Sequence, residues 1–157
     1  MDSIAARGTL FPNAFVNTLP TPSSHTTMLS SLYQETHRVQ NNDREGFARF
    51  VIPDEVTLLQ EHLQRHGYTT IGLTGGGWVA GRYGFARGFT AFEDAPRQER
   101  VGAGKFLRMV EERAGDGRPI FAFFHTYKIH ADYLPPEAYR RLWGEHEGHF
   151  PPSNESI

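Results

Sequence analysis

The sequence predicts an α/β fold with a partly parallel sheet flanked by helices. Two observations carry this. An amphipathic helix opening at Pro53-Asp54-Glu55 closes at Gly67 and runs straight into the β-rich stretch Tyr68-Thr69-Thr70-Ile71-Gly72-Leu73. Helix, glycine, then buried strand is the rhythm of a parallel α/β sheet. Further on, Pro119-Ile120-Phe121-Ala122-Phe123-Phe124 is a nearly unbroken apolar run, as expected of a strand covered on both faces. The 157 residues amount to one domain.

Each element has its own signal. Asp2 to Arg7 reads as the last turns of an amphipathic helix stopped at Gly8. Thr9-Leu10-Phe11 and Ala14-Phe15-Val16 are short apolar runs, predicting a strand that ends near Val16. Thr18 to Ser24 reads as a loop, and His25 to Leu32 as a short helix behind a cap at Ser23 or Ser24. Asn41 to Phe50 is polar and reads as a surface loop. In the helix from Pro53, Val56, Leu59 and Leu63 recur at helical spacing, and the acids Asp54 and Glu55 suit its positive end. The glycine-rich stretch from Gly75 to Gly88, with the aromatics as far as Phe92, reads as loop. Gln98 to Ala114 reads as a helix with Val101, Phe106 and Val110 on one side. His125 to Pro136 is a loop, and Glu137 to Trp143 a helix behind Pro135-Pro136.

Composition narrows the function classes. Sixteen basic and eighteen acidic side chains leave a net charge of −2, which gives no footprint for nucleic acid. Cysteine is absent, which rules out a disulfide framework, a thiolate metal site and a cysteine nucleophile. No apolar run approaches the ~20 residues of a membrane span, and the first residues are not a secretory signal.

Ligands of open parallel sheets bind outside the carboxyl ends of the strands. Three loops fall there: Thr18–Ser24, Thr74–Gly81 and His125–Tyr133. In the first, Thr21-Pro22-Ser23-Ser24-His25 sets a hydroxyl at a helix start, where backbone N–H groups favour an anion. Such a hydroxyl attacks phosphorus or sulfur once a metal or base takes its proton; a plain helix cap is the simpler reading. In the third loop, His125 and His130 are placed as general acids, with a satisfied core role for His125 equally open. Gly75-Gly76-Gly77 lacks the Lys-Ser/Thr of a phosphate loop and reads as a flexible or tightly turned connection. His62 and His66 share a helix face at metal-ligand spacing, but Leu63 replaces the glutamate of the zinc-protease motif, so two exposed polar side chains is the simpler reading.

Taken in order, these stretches resemble the sulfatase family of the alkaline phosphatase superfamily. Arg7 to Phe15 resembles the segment before the sulfatase active site. Thr21-Pro22-Ser23-Ser24-His25 with Met28 to Tyr33 resembles the signature of nucleophile, Pro-Ser-Arg or Pro-Ser-His, helix and Thr-Gly. His37-Arg38-Val39 is similar to the following His-Gly-Val, Asp54 to Tyr68 to the helix ending in His-Gly-Tyr, and Gly88-Phe89 with Phe92 to a Gly-Phe segment. FAFFHTYKIHADYLPP, from Phe121 to Pro136, is similar to the second signature, a strand ending in an active-site histidine loop.

The resemblance covers nearly the whole chain. It implies hydrolysis of a small-molecule sulfate or phosphate ester with a divalent metal, usually calcium. Thr21 falls on the nucleophile position, which also touches the metal; His25 falls on the basic position and His130 on the histidine that assists the leaving group. Lys128 and His125 lie beside it as candidate substrate-binding residues.

The chain departs from the pattern in three ways. Thr21 replaces the Cys or Ser that sulfatases oxidise to formylglycine, and a threonine cannot give an aldehyde. Ser23 stands where the signature has Pro, and Ser31 where it has Gly. The family's acidic metal ligands, an early pair and a late Asp-Asn or Asp-His pair, have no counterpart in residues 1–157. The expectation is therefore an incomplete sulfatase-like fold, a fragment of low or no activity whose first strand and C-terminal half are missing. The alternatives are a phosphodiesterase or phosphonate hydrolase of the same superfamily, or a non-catalytic α/β remnant or binding module. Natural substrate, oligomeric state and compartment stay open.

Overall fold

The computed structural model describes residues 2–40, 50–95, 101–128 and 130. Its elements are α1 (Asp2–Ala5), α2 (Thr21–Ser30), α3 (Gln34–His37), α4 (Leu59–Arg65), β1 (Thr69–Thr74), β2 (Ala91–Asp94), α5 (Ala103–Glu111) and β3 (Ile120–Phe124). The three strands form one sheet in the order β2-β1-β3. Both pairings are parallel, with Ile71 opposite Ala91 and Thr69 opposite Ile120. The expected α/β architecture with a parallel sheet is present.

β1 is the centre of the fold and all six of its residues are buried. Side chains alternate across a strand, and here the alternation divides the core. Ile71 and Leu73 face α5, where they meet Met109, Phe106, Val110 and Phe124. The larger cluster contains Leu29, Ile52, Leu58, Val79 and Phe85, with Phe92, Phe121 and Phe123 from the flanking strands packed against it. Gly72 is required on β1, because a Cβ there would stand 2.7 Å from the Phe92 ring. The buried threonine hydroxyls of β1 are all engaged: Thr70 donates to the Gly88 carbonyl at 2.7 Å, Thr69 to Asp116 at 3.3 Å, and Thr74 accepts the Gly76 N–H at 3.2 Å. Buried hydroxyls without partners would be costly.

Several boundaries differ from the sequence reading, each for a physical reason. No strand precedes Val16: Leu10, Phe11, Phe15 and Val16 are exposed, Phe15 to 90%. A strand needs a ladder partner, and among the described residues none lies alongside. α2 starts at Thr21, not His25, so Ser23 and Ser24 are helical and neither is the cap. Pro22 in its first turn loses no hydrogen bond, and the Pro20 carbonyl accepts the Ser24 N–H at 3.1 Å. Pro53 to Val56 forms a turn instead of opening α4. Arg87 takes the carbonyls of Ile52, Pro53 and Val56, which a helix would have used for its own ladder. α4 begins at Leu59, with the Glu61 carboxylate accepting the Leu58 N–H at 2.8 Å.

β2 begins inside the stretch whose sequence reads as loop as far as Phe92. It is four residues long, half of them acidic, and strands are depleted in acids. α5 is shorter than Gln98–Ala114, although residues 96–100 lie outside the described ones. β3 falls where expected but is only half-buried, with β1 on one side of it. The helix read over Glu137 to Trp143, and most of the loop before it, lie outside the described residues.

Candidate active site

At the carboxyl ends of β1 and β3, two of the three loops singled out are joined by backbone. The Gly75 N–H donates to the His125 carbonyl at 3.0 Å, and the His125 N–H to the Leu73 carbonyl at 2.9 Å. With Gly76 donating to Thr74, two of the triple-glycine N–H groups are already taken. Gly75-Gly76-Gly77 is therefore the tightly turned one of the two connections expected, and not an open phosphate cradle. Gly76 sits at φ +71°, ψ −136°, a conformation essentially reserved for glycine.

The third loop arrives through α2. Thr21 is the first residue of this helix and is half-buried. His25 lies one turn on, and its Nδ1 is 2.8 Å from the Thr21 carbonyl. A carbonyl only accepts, so Nδ1 carries the proton and Nε2 keeps its lone pair. Burial lowers the pKa of His25, outweighing that hydrogen bond, and holds the ring neutral. The His25 ring meets the His125 ring edge-on at 5.2 Å. His125 in turn meets Tyr127 at 4.9 Å, and Tyr127 meets His130 at 5.3 Å. An unbroken file of four rings thus runs from His25 on α2 to His130.

His125 is pushed down to about 4, chiefly by burial and then by the neighbouring His25 and His130 charges. Its Nδ1 is buried without a hydrogen-bond partner. Perturbed histidines of this kind cluster at functional sites. Lys128 is exposed and its ammonium stands 3.8 Å from where a Gly102 side chain would begin, toward the start of α5. Thr21, His25, His125 and His130 are gathered at one end of the sheet; Lys128 makes no described contact with the histidines.

Tyr127 was missed by the sequence reading. Its only signal was an aromatic residue between two histidines, and aromatic residues in this chain mostly fill core. His37, by contrast, is structural. Its Nδ1 accepts the Val39 N–H at 3.1 Å, so its Nε2 donates to Thr27 at 2.9 Å. His62 and His66 pack their rings at 4.3 Å on the exposed face of α4, with His66 Nδ1 donating to the His62 carbonyl. An open groove of about 330 Å³ along α4 is lined by Asp54, Thr57, Glu61, Gln64, Arg65 and Gly88; it includes neither histidine and shares no residue with the ring file.

The family model for sulfatases matches residues 1–156. The chain belongs to the sulfatase family. No curated protein and no solved structure matches it. Membership places the chain among hydrolases of the sulfatase and alkaline phosphatase superfamily, and the parallel α/β sheet agrees with it.

Sulfatases generally use a divalent metal. Among the described residues no three His, Asp or Glu side chains are placed to hold a metal ion together. A hard cation such as calcium needs several oxygen ligands, whereas a threonine hydroxyl and imidazole nitrogens are what this chain sets around α2. The described residues do not fit a calcium site. No helix among them is long and apolar enough to cross a membrane.

Two family positions explain themselves in the backbone. Ser31 and Arg38 are the described non-glycine residues at positive φ, at 59° and 61°. Both stand where the sulfatase pattern has glycine, so the chain keeps the left-handed turns without the residue that makes them easy. Ser23, in the signature's proline position, leaves its hydroxyl buried and unpartnered.

Proposed function

We propose that this chain carries the nucleophile half of a hydrolase acting on small-molecule sulfate or phosphate esters. The observation supporting it is the ring contact of His25 with His125. It brings the start of α2, with Thr21, to the carboxyl end of β3 and the histidine loop. In this reading the Thr21 hydroxyl attacks sulfur or phosphorus. His25, neutral and with a free Nε2 lone pair, receives the hydroxyl proton. The bond to the leaving oxygen breaks, and His130 protonates that oxygen. Water then cleaves the threonine ester and restores Thr21. His125 and Lys128 line the substrate side.

The reading extends to residues 1–157 being part of a larger catalytic unit. Exposed Leu10, Phe11, Phe15, Val16 and Leu19 offer apolar surface for such a remainder. A divalent ion, calcium by family habit, would be held by acidic residues outside those described. Because Thr21 cannot become an aldehyde, phosphodiesters are favoured over sulfates, as in the phosphodiesterases of the superfamily.

The test is hydrolysis of p-nitrophenyl sulfate and bis(p-nitrophenyl) phosphate by the complete protein that contains this chain, with calcium present. Thr21→Ala is expected to abolish turnover of both while leaving the melting temperature within about 2 °C, as for a part-exposed first-turn substitution. An unchanged rate would remove Thr21 from the mechanism. Faster cleavage of the sulfate than of the phosphodiester would overturn the substrate preference.

A further inference from the structure

Tyr127 stands between two histidines and is only 6% exposed. Its hydroxyl is tied to the loop after β1: it donates to the Gly76 carbonyl and accepts the Trp78 N–H, each at 3.4 Å. That loop is itself held in place. Gly75 is bonded to His125, Gly76 to Thr74, and a Cβ on Gly76 would lie 1.9 Å from the Ala95 carbonyl oxygen. The hydroxyl end of Tyr127 is therefore fixed to the rigid end of the sheet.

The other end of Tyr127 holds His130 in two ways. The Tyr127 carbonyl accepts the His130 N–H at 3.1 Å, which closes a turn. The phenol ring packs against the imidazole at 5.3 Å, inclined by 67°. His130 is exposed, and among the described residues no hydrogen bond holds its ring. An exposed side chain otherwise spreads over several staggered rotamers. An edge-on aromatic neighbour selects among them. The same phenol packs against His125 at 4.9 Å and so sets the spacing from His130 back to α2.

We infer that Tyr127 is a positioning residue: anchored by its hydroxyl to the loop after β1, it holds the His130 ring where a leaving group departs. The inference rests on the reading of His130 as the proton donor. A general acid contributes most when the leaving group is poor. Misplacing it therefore costs poor leaving groups far more than good ones.

The experiment uses the full chain with Tyr127→Leu, which removes ring and hydroxyl, and Tyr127→Phe, which removes the anchor alone. The first readout is the His130 imidazole resonances by NMR. Tyr127→Leu is expected to shift them to the positions of a free exposed histidine, with Tyr127→Phe in between. The second readout is kcat on phenyl and p-nitrophenyl esters. Tyr127→Leu is expected to lose about 100-fold on the phenyl ester and under about 3-fold on the p-nitrophenyl ester. If Tyr127→Leu does not fold, Tyr127→Phe carries the test, with a loss of about 5-fold confined to the phenyl ester. Unmoved His130 resonances in the folded variant, or equal losses on both esters, overturn the inference. If the complete protein that contains this chain cleaves no ester, the hydrolase reading falls, and the resonances alone decide whether Tyr127 fixes His130.

Discussion

The segment 9–19 and strand β1 are built from similar residues and end in opposite states. Both mix threonine with branched and aliphatic side chains. In β1 every residue is buried, a parallel partner lies on each side, and all three buried threonine hydroxyls are bonded. In 9–19 the large apolar side chains stand in solvent, Phe15 at 90% and Leu19 at 77%. The difference teaches that an apolar run is a request for a partner. β1 has two strands to answer it, and 9–19 has none among the described residues.

The contrast can be broken most severely at the rigid end of β1. Gly76→Ala places a Cβ against the Ala95 carbonyl in a backbone conformation open only to glycine. Denaturant unfolding should show a loss of about 3 kcal/mol. A loss below about 1 kcal/mol would mean the loop after β1 is not rigid.

Acid weakens the same end. The folded chain holds His125 at about 4, and His25 and His37 below their ordinary value as well. Between that value and the ordinary 6.5 the unfolded chain binds more protons than the folded one. Stability is therefore full above about pH 6.5 and declines as pH falls toward 4. Melting curves across this range should show the decline, and His125→Gln should flatten it.

The next effect is smaller and opposite in sign. Arg38→Gly and Ser31→Gly each relieve a left-handed backbone. Each should raise unfolding stability by up to about 1 kcal/mol, since left-handed L-residues cost about 1–2 kcal/mol and glycine returns part of that as chain entropy. The smallest effect sharpens the contrast from its other side. Phe15→Ser removes a side chain that touches little, so stability should change by less than about 0.5 kcal/mol. Solubility measured by light scattering should rise, because an exposed aromatic is lost.

Much of this was legible beforehand. The strand after Gly67 and the apolar strand before His125 were readable because periodicity and punctuation agreed. Gly67 does adopt φ +83° behind α4. β2 was not readable, because Phe92 is its one large apolar residue and the acids Glu93 and Asp94 give no strand signal. The start of α2 was misread because Ser23 and Ser24 look like caps, while Pro20 and Pro22 govern the turn. At the site, Thr21, His25 and His130 came from motif order, and their gathering is tertiary. Tyr127 had no motif to mark it; its role depends on a loop some fifty residues away in sequence, joined by its hydroxyl to Gly76. Lys128 matched a position in the loop, yet its ammonium turns toward the start of α5.

The strand order β2-β1-β3 has a consequence for how the chain is made. The central strand is synthesised before either of its neighbours. Ile71 waits for Ala91, and Thr69 waits for Ile120. Until Phe124 has left the ribosome, β1 offers one bare edge, with the threonines, Ile71 and Leu73, to whatever lies nearby. Chaperone dependence during synthesis should therefore track the arrival of β3 and no earlier landmark in the chain.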